Sequence, residues 1–205
     1  MTPDHTTFDL ADLDGRDRYK LLIGLVVPRP IGWVGTLSPG GVPNLAPYSF
    51  FNVVAGTPPT VLFSAGRSRR DKDSYANARD TGEFTLSVVT EELAEAMVAT
   101  SGEYGPDVDE FAVAGLTAAP GTVVDAPFVA EAKAVMECRV SRIVELGPAP
   151  ANVVVFGDVL RVHAEEALLD GTRVDPKALK AIGRMAGSGY ATTADGYFEM
   201  ERPVV

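Results

Sequence analysis

Apolar and polar residues alternate along the stretch 28–52, and this period of two predicts a β-hairpin. Ile31 and Trp33 alternate with Gly32 and Val34, and the SPGGVPN segment then supplies Pro and Gly for a reversal before LAPYSFF begins. The second arm mixes small and hydroxyl-bearing residues with aromatic ones. That mixture is typical of a wall beside a flat ligand rather than of a plain core strand.

Further strand patterns follow along the chain. The continuous apolar run 60–65 predicts a strand buried on both faces. Residues 83–89 alternate, and two long alternating runs, 129–146 and 152–166, are joined by GPAPA, with Gly157 as a bulge. Many strands at short spacing with few helices favour a β-rich barrel decorated by helices over a βαβ sheet.

Two helices are predicted between these strands. One spans about 73–81, with Asp71 or Asp73 as its N-cap and Gly82 as its stop. The other extends from a Thr90 cap to about Thr100. DGTRVDPKALKAIGR predicts a turn and a short helix near the C-terminus.

The remaining segments define the predicted domain organisation. Residues 1–18 form an acidic lead-in without periodicity, and 19–205 form a single domain. The apolar run 19–27 fits either a helix or a strand. The Gly-, Pro- and Asp-rich stretch 101–128 is a lid, a dimer arm or a surface flap.

Charge and cysteine content narrow the function classes. The formal net charge of −10 disfavours nucleic acid and anionic membrane surfaces as partners. A single cysteine, Cys138, forms no intramolecular disulfide and suits a reducing compartment. The N-terminus is acidic where a signal peptide is basic, and no eighteen apolar residues run together. We therefore expect a cytoplasmic protein.

One basic cluster stands out in this acidic chain. Ser74 and Asn77 lie on the predicted helix just after it, and free amides at a helix start beside basic and hydroxyl groups form a phosphate site. Asp71 and Asp73 reduce the local charge, so a solvated loop stays open as the alternative. The cluster comprises Arg67, Arg69, Arg70 and Lys72.

No constellation of catalytic side chains accompanies this cluster. His5 and His163 are far apart and have no Cys neighbours, which disfavours a metal site, and no G-x-S-x-G elbow supports Ser-His-Asp catalysis. Neither a Walker A sequence nor G-x-G-x-x-G occurs. We predict no catalytic residue and no metal, and instead a bound cofactor that carries the chemistry.

Several strings of the sequence carry a family resemblance. They are PRPIGWVGTL, GGVPNLAPYSFFN, TPPTVLFSAG, KDSYANARDTGEF, NVVVFGDVLRVH and IGRMAGSGY. Over most of residues 20–190 the sequence resembles the flavin reductase-like, FMN-binding split-barrel proteins, a group that includes flavoredoxin. The resemblance implies a mainly β fold with helices, namely a six-stranded Greek-key split β-barrel of the FMN-binding type. It also implies a homodimer with one FMN per subunit near the interface.

The resemblance assigns binding roles by position. A wall beside the isoalloxazine and ribityl groups would comprise Thr36, Asn44, Ala46, Pro47, Tyr48 and Ser49, with Ser64 close by. The phosphate would lie at Lys72, Asp73, Ser74 and Asn77, and Arg184 and Tyr190 would lie over the site. The family often has Ser where Gly35 stands, so one hydroxyl contact is expected to be missing.

The implied activity is that of an FMN-dependent oxidoreductase. NADH or NADPH would pass a hydride to N5 of FMN, and the electrons would then pass onward, with a monooxygenase component or an electron-transfer protein as a possible acceptor. The alternative is a flavoredoxin-like carrier that is reduced by a protein partner and never binds nicotinamide. A third alternative is a barrel that has lost its flavin and serves as a binding module.

Overall fold

The computed structural model describes residues 4–67, 70–147 and 152–203. Its helices are α1 Gly15–Leu25, α2 Asp73–Thr81, α3 Ala94–Ala99, α4 Glu110–Val113, α5 Pro176–Leu179 and α6 Thr193–Gly196. Its strands are β1 Arg29–Pro30, β2 Gly32–Leu37, β3 Pro43–Tyr48, β4 Phe51–Gly56, β5 Pro59–Gly66, β6 Glu83–Val88, β7 Ala118–Ala119, β8 Phe128–Val129, β9 Ala134–Leu146, β10 Asn152–Ala164, β11 Leu169–Asp170, β12 Arg173–Val174, β13 Ile182–Arg184 and β14 Tyr190–Thr192.

Seven antiparallel strands form the main sheet, in the order β3-β2-β6-β9-β10-β5-β4. β3 and β4 lie at its opposite edges, yet only Ser49 and Phe50 separate them in the chain. The sheet must therefore curl until its edges approach each other. No ladder joins the two edges in the described ranges. The result is a curled sheet that is open along one seam.

The mainly β architecture with helices is confirmed, but the predicted strand count is corrected. The main sheet has seven strands rather than six, because Phe51–Gly56 extends it as an edge strand that the sequence pattern did not reveal. A smaller three-stranded sheet, β1-β13-β14, lies beside it.

The predicted hairpin is present as β2 and β3, with Gly32 opposite Tyr48 and Thr36 opposite Asn44. Both faces of β2 are buried. Val34 packs inside the curled sheet against a core that includes Phe63. Trp33 packs outside it in a second core. This double burial makes β2 the wall on which both halves of the molecule are built.

Two further strand predictions have different outcomes. The register between β9 and β10 shifts at Gly157, as predicted, but the extra residue is Ser141 of β9, because Phe156 lies opposite Arg142 and Gly157 opposite Val140. A Cβ at Gly157 would lie 2.3 Å from the Phe84 ring. The run 60–65, however, is not buried on both faces. Val61 and its alternate neighbours face the core, whereas Ser64 is half-exposed, because only one face of β5 packs inside the sheet. Residues 148–151 of the GPAPA turn lie outside the described ranges.

Helix α2 has the predicted bounds and ends at Gly82, whose φ of 76° lies in the left-handed region that favours glycine. The predicted N-cap is wrong. Lys72 occupies that position and no side chain caps the helix. Asp71 instead accepts from Arg67 and Arg79 at 2.7 and 3.1 Å.

The helix predicted over 90–100 is present as a 3₁₀ turn, Glu91–Leu93, followed by α3. Thr90 precedes the turn but forms no side-chain capping bond, so its predicted role as a cap is wrong. At the C-terminal end, the predicted short helix is α5, capped by the Asp175 carboxylate.

The ambiguous run 19–27 belongs largely to a helix. Helix α1 begins at Gly15, inside the segment expected to lack structure, because the Asp14 carboxylate caps it by accepting from the Asp17 amide at 2.8 Å. None of its residues is buried, so it lies on the surface. Within the described ranges, no helix has the length and apolar character needed to cross a membrane.

The long stretch 101–128 is fastened to the sheet at two places. Near its middle, Glu110 of α4 bonds to β3. Near its end, the amides of Thr122, Val123 and Val124 donate to the buried Glu137 carboxylate of β9 at 2.7–3.1 Å. These bonds make it a fixed cover over one side of the barrel.

Candidate functional site

Two adjoining clefts border strand β3. The α2 cleft, of about 110 Å³, lies where β3 faces the start of α2, and the segment 100–104 forms its third side. The Arg184 cleft, of about 160 Å³, lies on the other side of Pro47 and is lined by Ile31, Pro47, Ser49, Met97, Ser101, Arg184 and Tyr190. Pro47 and Ser101 line both, so the clefts form one groove.

The structure brings most of the predicted site residues together in this groove. They reach it from three separate parts of the chain: β3, the start of α2, and the β13–β14 hairpin. The predicted residues lining it are Asn44, Ala46, Pro47, Tyr48, Ser49, Lys72, Asp73, Ser74, Arg184 and Tyr190.

Strand β3 is suited to this position because it is a sheet edge. It pairs with β2 alone. Pro43 and Pro47, which have no N–H group to donate, are tolerated on such an edge strand because its free side has no partner strand to bond. Proline also stiffens the backbone there, and Ala46 is small enough to let a ligand approach it. A plain inner strand could not present its backbone in this way.

The start of α2 carries donors without side-chain acceptors. Its N-cap position offers no side-chain bond, so the first-turn amides lack a side-chain cap, and Lys72, Asp73 and Ser74 of this end line the cleft. Among the described residues, Lys72 is held by Glu103 alone, at 3.5 Å. Arg70 is engaged more closely, by Asp73 at 2.6 Å and by the Tyr104 carbonyl oxygen at 2.5 Å.

Arg67, the other described residue of the basic cluster, does not contribute to the cleft. Arg67 pairs with Asp71 at 2.7 Å and Glu145 at 3.2 Å, and it does not line the groove. Arg69 lies outside the described ranges. The charge available to an anion in the α2 cleft is therefore mainly that of Lys72.

Thr36, Asn77 and Ser64 line neither cleft. Thr36 and Asn77 are buried behind the groove, where the Asn77 Nδ2 donates to Thr36 Oγ1 at 3.1 Å. The Thr36 hydroxyl in turn bonds Asn44 Oδ1 at 3.1 Å, so both residues support Asn44 from behind. Ser64 lies within β5, and its amide donates to the Phe50 carbonyl oxygen at 2.8 Å at the end of the β4–β5 ladder.

Glu110 is the site residue that sequence reasoning missed. Only 4% of this residue is exposed, and it lines the α2 cleft. Its oxygens each lie 3.0 Å from Asn44 Nδ2, and one also accepts from the Leu45 amide at 3.0 Å. Burial raises the pKa of Glu110, and the bonds from Leu45 and Asn44 oppose that rise. It lies 66 residues from Asn44 in an irregular segment, so no local pattern indicates the contact.

Tyr48 supplies a neutral hydroxyl to the groove. Burial raises the pKa of its phenol to about 12, although a hydrogen bond with Ser74 opposes the rise. Its ring packs at 5.0 Å from that of Phe63. Near neutral pH the side chain therefore keeps its proton and is held in one place.

Arg184 and Tyr190 meet across the β13–β14 hairpin. The guanidinium lies 4.6 Å from the Tyr190 ring centroid and donates to its hydroxyl and to the Gly187 carbonyl oxygen. β13 also pairs with β1, opposite Arg29, which connects this end of the groove to the start of β2. The pair is well placed to cover a ligand lying along Pro47 and Ser49.

The structure explains the glycine at position 35. A Cβ there would lie 2.2 Å from the Pro127 carbonyl oxygen and 2.5 Å from Thr85 Oγ1. The Thr85 hydroxyl itself donates to Pro127 at 2.6 Å. The cover segment thus lies directly on β2, and Gly35 leaves it the space.

His163 and Cys138 lie away from the groove. His163 Nε2 lies 2.6 Å from a Glu137 carboxylate oxygen, so its ring has a hydrogen-bond partner on the neighbouring strand. Burial raises the pKa of the Cys138 thiol, which disfavours the reactive thiolate.

The curled open sheet, with two adjoining clefts along its free edge, has the architecture of a split-barrel protein. The chain matches the family described as flavin reductase like domain over residues 24–178. It belongs to that family, and the resemblance stated from its sequence strings is confirmed.

Three similar proteins illustrate the membership. An uncharacterised protein of Aquifex aeolicus is 43% identical over 188 residues, covering 89% of this chain and 93% of that protein. Nitrilotriacetate monooxygenase component B from Bacillus cereus has a similar structure, with a TM-score of 0.93, 34% identity, and coverage of 97% of this chain and 100% of that one. A Shewanella frigidimarina protein assigned as a flavin reductase with a split barrel domain shares the fold, with a TM-score of 0.84, 22% identity, and coverage of 98% and 100%.

Proposed function

We propose that the groove binds FMN and that the protein is a reductase-type flavin oxidoreductase using NADH or NADPH. The observation that carries the proposal is the uncapped start of α2, with Lys72 beside it, facing the β3 wall across one cleft. When bound, FMN supplies the hydride- and electron-transfer chemistry, so the protein needs no catalytic side chain of its own. The chain's part is to bind and orient.

The phosphate end of FMN fits the start of α2. Free first-turn amides and the positive end of the helix dipole favour an anion there, and Lys72 adds a full charge. Asp73 stands at the same place, but its carboxylate is paired with Arg70 at 2.6 Å, which reduces its repulsion of a phosphate. We assign Lys72 and the amides as the phosphate-binding groups.

The ring and ribityl parts fit the rest of the groove. Ala46 and Pro47 offer a flat apolar wall, and Tyr48 and Ser49 offer hydroxyl groups along it. Arg184 and Tyr190 would lie over the ring from the β13–β14 hairpin. In this proposal Thr36 and Asn77 act only through Asn44, and Ser64 has no direct contact.

A second copy of the chain would complete the site. Binding pockets for molecules of this size enclose roughly 300–1,000 Å³, whereas the two clefts of the groove measure about 110 and 160 Å³. Apolar side chains are exposed on α1 and β4, including Leu25 at 79%, Val26 at 59% and Val53 at 65%. Such a surface is typical of a subunit interface. We propose that these faces pair in a homodimer.

The electron acceptor is the least specified part of the proposal. Similarity to nitrilotriacetate monooxygenase component B favours a role as the reductase of a two-component monooxygenase. The sequence contains no separate dinucleotide-binding motif, which keeps a flavoredoxin-like carrier as the second candidate.

Anaerobic spectroscopy tests these possibilities. Purified protein mixed with FMN is titrated with NADH and, separately, with NADPH while the flavin absorbance is followed. Bleaching that requires the protein is expected. Tight FMN binding without bleaching by either nucleotide would favour the carrier instead. Protein that takes up no FMN would contradict both and leave a binding module.

A further inference from the structure

We propose that Glu110 is a positioning residue of this groove, which fixes the amide of Asn44 and so decides whether Ser74 donates or accepts toward a ligand. The identity of the ligand in this inference rests on the proposed flavin function. The hydrogen-bond network itself is formed by protein side chains without any ligand. Glu110, Asn44 and Ser74 all line the α2 cleft, and all three are buried.

The orientation of Asn44 follows from the chemistry of its partner. An ionised carboxylate can only accept hydrogen bonds. Both oxygens of Glu110 lie 3.0 Å from Nδ2 of Asn44, so the amide must turn its NH₂ group toward them. The Leu45 amide holds the carboxylate in place at 3.0 Å.

The opposite end of the same amide is then an acceptor. Its Oδ1 lies 2.8 Å from Ser74 Oγ and 3.1 Å from Thr36 Oγ1. Thr36 can give its proton to Asn44 because its own oxygen accepts from Asn77 at 3.1 Å. The hydrogen bonds are thus donated in one direction: from Asn77 of α2 to Thr36 of β2, then to Asn44 of β3, and finally to Glu110.

The consequence for the cleft concerns Ser74. A hydroxyl group has one proton, and that of Ser74 is committed to Asn44. Its oxygen can then only accept, from the neighbouring Tyr48 hydroxyl and, through its remaining lone pair, from a ligand hydroxyl or N–H in the cleft. Phosphate oxygens, which are themselves acceptors, are left to Lys72 and the helix amides.

Reversing the network requires a single change. In Glu110→Gln the new side chain has one acceptor oxygen and one NH₂ group. Either the Asn44 NH₂ and the Leu45 amide compete for that oxygen, or the new NH₂ group faces the Asn44 NH₂ group, so that two donors meet. In either arrangement the residue at position 110 no longer fixes the NH₂ group of Asn44 toward itself. Adding Asn44→Asp restores it, because the new NH₂ at position 110 donates to a carboxylate at position 44 that again accepts from Ser74 and Thr36.

The test compares the wild-type protein with Glu110→Gln, Asn44→Asp and the double variant. Two quantities are measured: the thermal unfolding midpoint without flavin, and the dissociation constant for FMN. Glu95→Gln, an exposed carboxylate of α3, is the control. Each single variant is expected to lower the midpoint by about 3–6 °C and FMN affinity by about tenfold, the size expected for an unsatisfied buried polar group.

Recovery in the double variant is the decisive result. We expect its midpoint to return close to that of the wild-type protein and its FMN affinity to return to within about threefold. A midpoint that recovers while FMN affinity stays low would overturn the positioning role and leave a purely structural one. Failure of both to recover would overturn the network. If the wild-type protein binds no FMN, the proposed function fails. The unfolding midpoints of the four proteins still test whether Asn44 donates to Glu110 and accepts from Ser74.

Discussion

Lys72 is the residue on which the proposed recognition of a phosphate most depends. It is the basic residue of the α2 cleft with the weakest engagement, since Glu103 lies 3.5 Å away and is itself 87% exposed. Charge-assisted bonds to a phosphate contribute more than neutral ones. The identity of this one side chain should therefore separate FMN from riboflavin.

Lys72→Gln is expected to lower the affinity for FMN about tenfold and to leave riboflavin affinity nearly unchanged, because only FMN carries the phosphate. Both dissociation constants are measured by quenching of flavin fluorescence. Lys180→Gln is the matched control, since Lys180 has similar exposure and a similarly loose acidic partner, Glu92, at 3.7 Å. Equal losses for the two flavins would contradict the phosphate assignment.

Gly35→Ala tests how closely the cover segment lies on β2. The new methyl group would meet the Pro127 carbonyl oxygen and Thr85 Oγ1, so the backbone must shift. Overpacking of this kind costs about 1–3 kcal/mol, which corresponds to a fall of several degrees in the unfolding midpoint. Gly56→Ala, with no atom within 4 Å of its Cβ, is the control, and a midpoint equal to that control would show that the cover yields easily.

At the scale of elements, the cover segment depends on a buried carboxylate for its attachment. Glu137 of β9 is fully buried and accepts from three consecutive amides as well as from the Thr122 hydroxyl and His163. Burial alone would raise the pKa of Glu137, but bonds from His163, Thr122 and Val123 outweigh it and hold the pKa at about 2. The charged carboxylate therefore stabilises the fold.

Glu137→Gln should lower the unfolding midpoint at pH 7 by about 5 °C, since the new amide offers one acceptor oxygen to several donors. The folded-state pKa of Glu137 lies below its ordinary value of 4.5. Its contribution is thus fully present above about pH 4.5 and is lost as the pH falls toward 2.

Thermal unfolding between pH 7 and pH 2.5 checks this dependence. The midpoints of the wild-type protein and Glu137→Gln should approach each other below pH 4.5. Glu95→Gln should follow the wild-type curve throughout. If the midpoints of the wild-type protein and Glu137→Gln differ by the same amount from pH 7 to pH 2.5, the charge of Glu137 does not contribute to stability.

At the scale of the whole molecule, the curled sheet leaves its most apolar surfaces uncovered. Helix α1 has no buried residue, and Tyr19 on it lies 6.4 Å from the ring of Phe50 at the turn between the two sheet edges. This surface therefore adjoins the groove through Ser49. A partner subunit seated there would both cover apolar area and deepen a shallow site.

Val53→Glu is expected to shift the protein from dimer to monomer in sedimentation experiments, because it places a charge in the proposed interface. FMN affinity should fall by at least about tenfold in the same variant, since each cleft alone is small. Val174→Glu alters another exposed valine, in β12, and should change neither quantity. A monomeric wild-type protein with full FMN affinity would contradict the second-subunit proposal.

Sequence by itself determined the features that depend on neighbours in the chain. The β2–β3 hairpin, the bounds of α2, its Gly82 stop and the register shift at Gly157 all follow from local periodicity and backbone preference. The strings of the family resemblance also identified most of the groove. These residues lie on elements whose own patterns set their direction.

Tertiary structure alone decided which polar groups meet. The sequence offers Thr36 and Asn77 as ligand contacts, but packing buries both: Asn77 donates to Thr36, and Thr36 bonds Asn44. Glu110 reaches Asn44 across 66 positions. A buried hydrogen-bonding group takes the partner that packing brings to it, and spacing along the chain does not encode that choice.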